Sequence, residues 1–562
     1  MLTRLRVRNF KNLESLDIEL GQTVVFIGPN NSGKTSALQA LALWKSGMDA
    51  LFMQQFLSDS PNAATAPVAL NRLMLTHTPV SDTRLLWNGT RIEENRTANS
   101  DEEHPGTPIL MQILVAGQVE GRTWECELEF YHGNSESIYC QPATPDWREG
   151  EAPNTLLDQD MARVAFLPPM SGLVPEETEI PSGRVDVLIG EGQTAQILRN
   201  LCLRVLEKDP DAWQRIKGHV QSLFGIELRD PARRAARGSI MLIYKERDWI
   251  LDIASAGRGL QQTLLLLAHL YANPDSTLLL DEPDAHLEIL RQRQTYNMLT
   301  ECAAETGSQI IAASHSEIIL NEAADRDVVI AFVGRPHRIN DRGSQVLKAL
   351  REIGFDQYYQ AEIKGSVLYL EGATDLAILR ALALKLKHPA AEWLEQPFVH
   401  YVAALPNAAL HHFHGLREAR SDLIGFALFD RLERGLPSSF TIPAHTWRKC
   451  EIENYIASRD VLLRFAEPDN RPAMEQTLDE VEKALHTLGK DPWSDDIKTS
   501  EDVLPAIFAN FYKHLGLRNI MAKADFHVLV NHLAPTEIAP EVTEVLDMLD
   551  ATLRRSRLAG SS

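Results

Sequence analysis

Gly28-Pro29-Asn30-Asn31-Ser32-Gly33-Lys34-Thr35 fits the pattern G-x-x-x-x-G-K-[ST]. A loop of this kind turns several backbone N–H groups toward phosphate oxygens, and glycine lets the backbone come that close. The apolar run Thr23-Val24-Val25-Phe26-Ile27 precedes it and reads as a buried strand. A helix predicted through about Trp44 follows, and its N-terminal end adds positive partial charge. Lys34 is placed to reach the β- and γ-phosphates of a nucleoside triphosphate, and Thr35 to hold Mg²⁺.

Downstream lies the matching acidic half, Leu278-Leu279-Leu280-Asp281-Glu282. Asp281 ends a strand where a carboxylate can bind Mg²⁺ through water, and Glu282 is placed to polarise an attacking water. Ser255-Ala256-Gly257-Arg258-Gly259-Leu260-Gln261-Gln262 begins 26 residues before Asp281 and opens a helix predicted over 259–271. A further helix is predicted over 286–302. The strand Gln309 to Ala313 ends at Ser314-His315-Ser316, and another strand covers 327–333. Strands alternating with helices imply an α/β fold with a parallel sheet.

Residues 3–27 read as strand, turn, strand, with Arg4, Arg6 and Arg8 alternating with Leu5 and Val7. Residues 45–160 carry few periodic signals and read as loops with short strands such as Trp124 to Tyr131. Residues 190–225 read as helical. Arg229, Arg233, Arg234 and Arg237 form a small basic cluster, either a solvated loop or a nucleic-acid contact. A second domain is expected from near Ile363. Its strand Ser366 to Leu370 ends on Glu371, a helix covers 374–386, and the strand Gly425 to Phe429 ends on Asp430. From about Ala457 the pattern is mostly helical.

The chain of 562 residues carries 56 Lys and Arg against 77 Asp and Glu, a net charge of −21. So acidic a surface excludes a general coat of nucleic acid, though local patches remain open to it. Five cysteines occur without a C-x-x-C pair, which fits a reduced compartment and no cysteine zinc site. No apolar run reaches the ~18 residues of a membrane span, and the first residues do not read as a signal peptide. The expectation is a cytoplasmic protein with no membrane partner.

These elements together resemble the ABC ATPase superfamily, including its SMC-like and recombination-repair branches. The resemblance implies ATP and Mg²⁺ as cofactors, bound by Gly28 through Thr35 with Asp281 on the metal. It implies that Ser255 and Gly257 contact the γ-phosphate held by an opposite subunit, in a homodimer or higher oligomer. Pro283-Asp284-Ala285-His286 resembles the family's subunit-interface loop, and His315 the histidine that senses the γ-phosphate. Glu282 and His315 are then the catalytic candidates. Leu167 to Gly172 is the candidate region for the glutamine loop.

Leu370-Glu371-Gly372-Ala373-Thr374-Asp375, Phe429-Asp430-Arg431 and Glu451-Ile452-Glu453-Asn454-Tyr455 resemble the OLD (overcoming lysogenization defect) family. That family joins an ABC-type ATPase to a TOPRIM nuclease domain. Glu371 matches the TOPRIM glutamate and Asp430 the first aspartate of its D-x-D pair, so both are candidate metal ligands. The second aspartate's position is Leu432, which offers no oxygen ligand, and Glu433 would face the other way on an extended segment. Lys523 is a weak match to a late basic residue of the nuclease domain. Phe166-Leu167-Pro168-Pro169-Met170-Ser171-Gly172 resembles ATPases of Septu-type anti-phage systems, some in retrons, which work with a separate HNH nuclease.

The expected architecture is therefore an ABC-type P-loop ATPase head over residues 1–360, with insertions within about 45–240. A degenerate TOPRIM-like α/β domain with a helical C-terminal segment occupies 361–562. The resemblances imply a bacterial anti-phage ATPase subunit controlling an HNH-type nuclease by ATP-dependent head-to-tail dimerisation. DNA, or the RNA/DNA of a retron, is a further candidate partner. One rival is a self-contained OLD-type metal-dependent endonuclease. Another is a DNA repair or chromosome-organising ATPase, for which 36–250 offers no long heptad arm. A transporter ATPase would leave the C-terminal domain unexplained.

Overall fold

The computed structural model describes residues 1–57, 66–94, 107–119, 121–143, 162–324, 326–333, 336–339, 353–420 and 422–559. They fall into two compact units, Met1–Leu347 and Lys348–Ser562.

The first unit holds a mainly parallel sheet in the order Val164–Leu167, Thr277–Asp281, Gln309–Ser314, Thr23–Ile27, Val328–Ala331, with His337–Arg338 antiparallel at the edge. Its central strands are buried along their whole length. That is why they read as continuous apolar runs rather than alternating ones. Asp281 pairs with Ala313, and Ser314 with Ile27. The register therefore brings the ends of all three strands, and the loops that follow them, to one sheet edge. The edge beyond the carboxyl ends of parallel strands is where α/β sheets bind ligands.

A second, antiparallel sheet runs in the order Leu13–Glu19, Leu2–Phe10, Met111–Val119, Arg122–Asn134, Ser137–Pro142, Val68–Asn71. Its basic outer residues are paired with acids, Arg4 to Asp17 at 2.7 Å and Arg6 to Glu127 at 3.3 Å. The Arg229 to Arg237 cluster is likewise offset: Arg233 binds Glu179 and Glu207, and Arg237 binds Glu176.

The structure corrects several element boundaries. The helix after the phosphate loop runs Lys34–Leu57, well past Trp44. Lys45-Ser46-Gly47 reads as a stop, yet Gly47 marks a close helix–sheet approach. A Cβ there would sit 2.9 Å from Cys140 Sγ and from Leu128 Cδ1. The segment read as loops with short strands contains the long strands Met111–Val119 and Arg122–Asn134, the second of which extends the expected Trp124 to Tyr131 at both ends. The helix expected from His286 begins at Ile289, because Asp284 and Glu282 accept turn hydrogen bonds from Leu287 and Ala285.

The second unit centres on a four-stranded parallel sheet, Val399–Tyr401, Ser366–Leu370, Ile424–Phe429, Ala444–Thr446. Leu368, Leu370, Phe426 and Leu428 pack one face against the core built by the C-terminal helices Arg459–Phe465, Arg471–Thr487, Leu504–His514 and Pro540–Ala559. Among the described residues, no helix is long and apolar enough to cross a membrane.

Candidate nucleotide site and a second carboxylate cluster

The phosphate loop leaves the strand Thr23–Ile27 with Gly28 at φ 156°, Asn31 at 64° and Gly33 at 106°. A Cβ on Gly28 would meet Phe332 O at 2.7 Å, so glycine is required there sterically as well as conformationally. The Lys11–Asn12 turn between the first two strands supports the loop from outside, Asn12 Nδ2 donating to Asn31 O at 3.1 Å. Lys34 is 7% exposed and donates from Nζ to Gly28 O at 2.7 Å and Pro29 O at 2.6 Å. Burial lowers its pKa, while Glu282, Asp281 and Asp284 act in the opposite direction.

Thr35 Oγ1 donates to Asp281 Oδ1 at 3.0 Å, joining the two halves of the motif across 246 residues of chain. Asp281 is buried, and that burial pushes its pKa up to about 6; the Thr35 hydrogen bond opposes the shift and Glu282 adds to it. Glu282 follows with φ 50°, a left-handed conformation unusual for glutamate, held by its N–H donating to Ala313 O at 2.9 Å. Its Oε1 lies 3.9 Å from His315 Nδ1, with both side chains partly exposed. The Ser32 hydroxyl and one carboxylate oxygen of Asp284 are buried without a protein partner. Burial raises the Asp284 pKa. Orphaned polar atoms, a glycine cradle and a threonine–aspartate oxygen pair fit a Mg²⁺–triphosphate.

Ser255 and Gly257 are exposed at the start of the helix Arg258–Ala272. Their turn is held from beneath by buried Gln261, whose Nε2 donates to Ile253 O and Ala256 O, each at 3.0 Å. An exposed N-terminus of this kind can meet an anion presented by another molecule.

In the second unit, Glu371 and Asp430 follow adjacent strands and meet: Glu371 Oε1 accepts from Asp430 N at 3.0 Å. Asp375, Glu451 and Glu453, quoted above in the family-like segments but given no site role there, complete the group. Burial pushes the Asp430 pKa up to about 8, followed in effect by Glu371, Asp375, Glu453 and Glu451. Burial and then Glu451 push Glu453 up to about 7, with Lys523 opposing. Asp375 lies in the first turn of the helix Ala373–Lys385, where its Oδ2 accepts from Gly372 N at 2.8 Å. Leu432 is half-buried and Glu433 is exposed. Among the described residues no group of three or more His, Cys, Asp or Glu is arranged to hold a metal ion. These carboxylates share one electrostatic field.

Known proteins match the first unit most directly. Residues 1–77 match a family model described as "AAA ATPase domain". Residues 176–321 match one described as "AAA domain, putative AbiEii toxin, Type IV TA system". These segments contain the phosphate loop and the stretch from Ser255 to His315. The chain is 26% identical over 368 residues to a protein named OLD nuclease from Thermus scotoductus, covering 59% of this chain and 64% of that one. The chain thus spans somewhat under two thirds of this relative's length. The resemblance to an OLD/ABC-SMC-type ATPase is borne out at that level. Among solved structures, an Smc head bound to the C-terminal winged-helix domain of ScpA aligns with TM-score 0.35 and 14% identity, covering 61% of this chain and 98% of that one. The SMC head domain from Thermotoga maritima aligns with TM-score 0.32 and 14% identity, covering 60% and 99%. Superpositions this loose support nothing about function.

Proposed function

We propose that the chain binds and hydrolyses ATP, and that two copies close head to tail around two nucleotides. The observation that carries the reading is the 3.0 Å contact between Thr35 and Asp281, with Lys34 in the same loop and Glu282 at the next position. Lys34 supplies the cation for the β- and γ-phosphates, and the loop N–H groups cradle them. Thr35 and Asp281 would hold Mg²⁺, which when bound supplies charge to offset the phosphate oxygens. Glu282 orients the attacking water and accepts its proton, and His315, whose Nδ1 lies 3.9 Å from Glu282 Oε1, senses the γ-phosphate. Ser255 and Gly257, exposed at the start of their helix, meet the γ-phosphate of the other copy.

The second unit is read as a TOPRIM-like domain, 361–562 in extent, that has lost self-sufficient cleavage. The half-buried Leu432 and the absence of a metal-fitting group among the described residues support this. The chain then acts in a bacterial anti-phage system, in the cytoplasm, by controlling a separate HNH-type nuclease. Support for that role is the likeness of Phe166 to Gly172 to Septu-type ATPases. A DNA or retron RNA/DNA ligand belongs to the same proposal. The test is purification from the native operon with ATP and the Glu282→Gln variant: a nuclease subunit should co-purify, and its failure to do so with intact neighbouring genes sinks the partner reading.

The second reading is the self-contained nuclease. It is favoured by five acidic groups, Glu371, Asp375, Asp430, Glu451 and Glu453, sharing one electrostatic environment, and by the matched OLD nuclease. Metal-dependent cleavage by the purified chain, lost in Glu371→Ala and in Asp430→Ala, would establish it.

A further inference from the structure

Arg199 is 1% exposed, on the helix Leu198–Lys208 among Leu198, Leu201, Cys202 and Val205. A guanidinium so deeply buried must be met by acceptors. Nη1 donates to Val174 O at 3.0 Å; Nη2 donates to Pro175 O at 3.3 Å and to Asp252 Oδ1 at 2.7 Å. The same Asp252 Oδ1 accepts from Ala254 N at 2.8 Å and so caps the turn Ile253–Ser255. Buried Glu177 lies 3.8 Å from Nη1 and is itself held by the N–H groups of Arg199 and Asn200.

One fork thus grips two chain segments. Val174 and Pro175 belong to the loop that leaves the strand Val164–Leu167, whose neighbour in the sheet is the strand ending at Asp281. That loop is pinned a second time to the start of the Arg199 helix. Ser171 N donates to Thr194 Oγ1 at 2.8 Å, and Val174 N to Ala195 O at 3.1 Å. On its other side the fork holds Asp252, the cap of the turn that presents Ser255.

We infer that Arg199 is a positioning residue: through Asp252 it sets the Ser255–Gly257 segment against the loop beside the Asp281 strand. Lysine cannot replace it, because a single ammonium lacks the planar fork that reaches three acceptors on two segments. The inference rests on the reading that Ser255 and Gly257 complete a nucleotide site in the dimer. Nucleotide binding by a chain's own phosphate loop needs none of these contacts. Loss of the clamp therefore lowers turnover and ATP-dependent closure while leaving that binding in place.

The experiment uses the full chain and four variants: Asp252→Asn, Arg199→Lys, their combination, and Ser255→Arg as the control for the parent reading. Binding is read with a fluorescent ATP analogue, turnover by phosphate release, and closure by the dimer that ATP induces in a Glu282→Gln background. Asp252→Asn keeps an amide oxygen for Ala254 N but removes the carboxylate charge that strengthens the Arg199 contact; on a partly exposed residue it should fold even if Arg199→Lys does not. It should bind the analogue within about 2-fold of wild type and lose about 10-fold or more in kcat, with the ATP-induced dimer weakened. The double variant should be little worse than the poorer single, since both weaken one contact. Wild-type turnover and closure in Asp252→Asn, with Ser255→Arg inactive, would overturn the inference and leave the composite site standing. Wild-type turnover in Ser255→Arg would overturn the composite site itself. Equal loss of binding and turnover in Asp252→Asn would reduce Arg199 to a general stabiliser and likewise overturn the inference.

Discussion

Both units end parallel strands on carboxylates, and the two edges resolve the resulting charge differently. At Asp281 and Glu282 the acids face a buried lysine in a glycine cradle, and Thr35 donates to Asp281. At Glu371 and Asp430 the nearby acids face one another, and the opposing cations are Lys498 for Glu371 and Lys523 for Glu453. Asp281 is pushed to about 6 and Asp430 to about 8. Strand-end carboxylates are thus a placement that α/β sheets supply readily. The local counter-charge decides whether such a placement is prepared for a phosphate, for a metal, or for neither.

The largest effect should come from removing that counter-charge. Lys34→Ala should weaken ATP binding by about 100-fold or more, because it strips the buried cation from the loop. Glu282→Gln should keep binding and lose about 10²–10³ in turnover, the range expected when a positioned base becomes an amide. Equilibrium binding and phosphate release on the same preparations separate the two. Full hydrolysis by Glu282→Gln would remove that residue from its role.

Mixing tests whether the first edge is complete within one chain. Lys34→Ala and Ser255→Arg should each be inactive alone and partly active after subunit exchange, since one hybrid site keeps an intact loop and an intact Ser255 turn. Exchange verified by tagged pull-down without recovered turnover would mean that each chain completes its own site.

At the second edge the expected effect on ATP is small. Glu371→Ala and Asp430→Ala should change ATP hydrolysis by less than about 2-fold, since neither carboxylate belongs to the nucleotide site. Wild type with Mg²⁺ or Mn²⁺ should leave plasmid DNA and RNA uncut. Leu432→Asp should create weak metal binding, visible by calorimetry, if the missing oxygen ligand is what separates this domain from a nuclease.

The first edge was legible in the sequence because its chemistry is local. Gly28, Lys34 and Thr35 fall in one eight-residue pattern, and Asp281 and Glu282 are adjacent after an apolar run. The second edge was only half legible. Glu371 and Asp430 announced themselves by following strands, whereas Glu451 and Glu453 reach the same field from a turn about 20 residues downstream of Asp430, with no fixed spacing. Arg199 was invisible for another reason. Its partners Val174, Pro175 and Asp252 are two backbone carbonyls and one aspartate, and a carbonyl leaves no trace in residue type. Even the length of the Lys34–Leu57 helix was hidden, because Gly47 reads as a terminator until the sheet packed against it is known.

The smallest and most discriminating effect concerns stability against pH. Asp430 has its pKa raised in the folded protein from 3.8 to about 8, chiefly by burial and then by Glu371. A raised carboxyl pKa means that the fold holds the proton longer than the unfolded chain does. Stability therefore falls as pH rises from about 4 through 8, and the full cost is present above the folded value. Asp430→Asn removes the charge at nearly constant shape. It should raise the melting temperature of the second unit at pH 8.5 by at least about 2–4 °C, the response of a domain this size to each ~1 kcal/mol. The gain should shrink toward zero near pH 4, where the aspartate is protonated in both states. Differential scanning calorimetry across that range reads the effect. Repeating it with millimolar Mn²⁺ sharpens the comparison of the two edges. If the carboxylates hold no metal, the ion leaves the difference between wild type and Asp430→Asn unchanged. If Mn²⁺ stabilises wild type alone and erases the difference at pH 8.5, the second edge has its counter-charge after all, and the self-contained nuclease becomes the better reading.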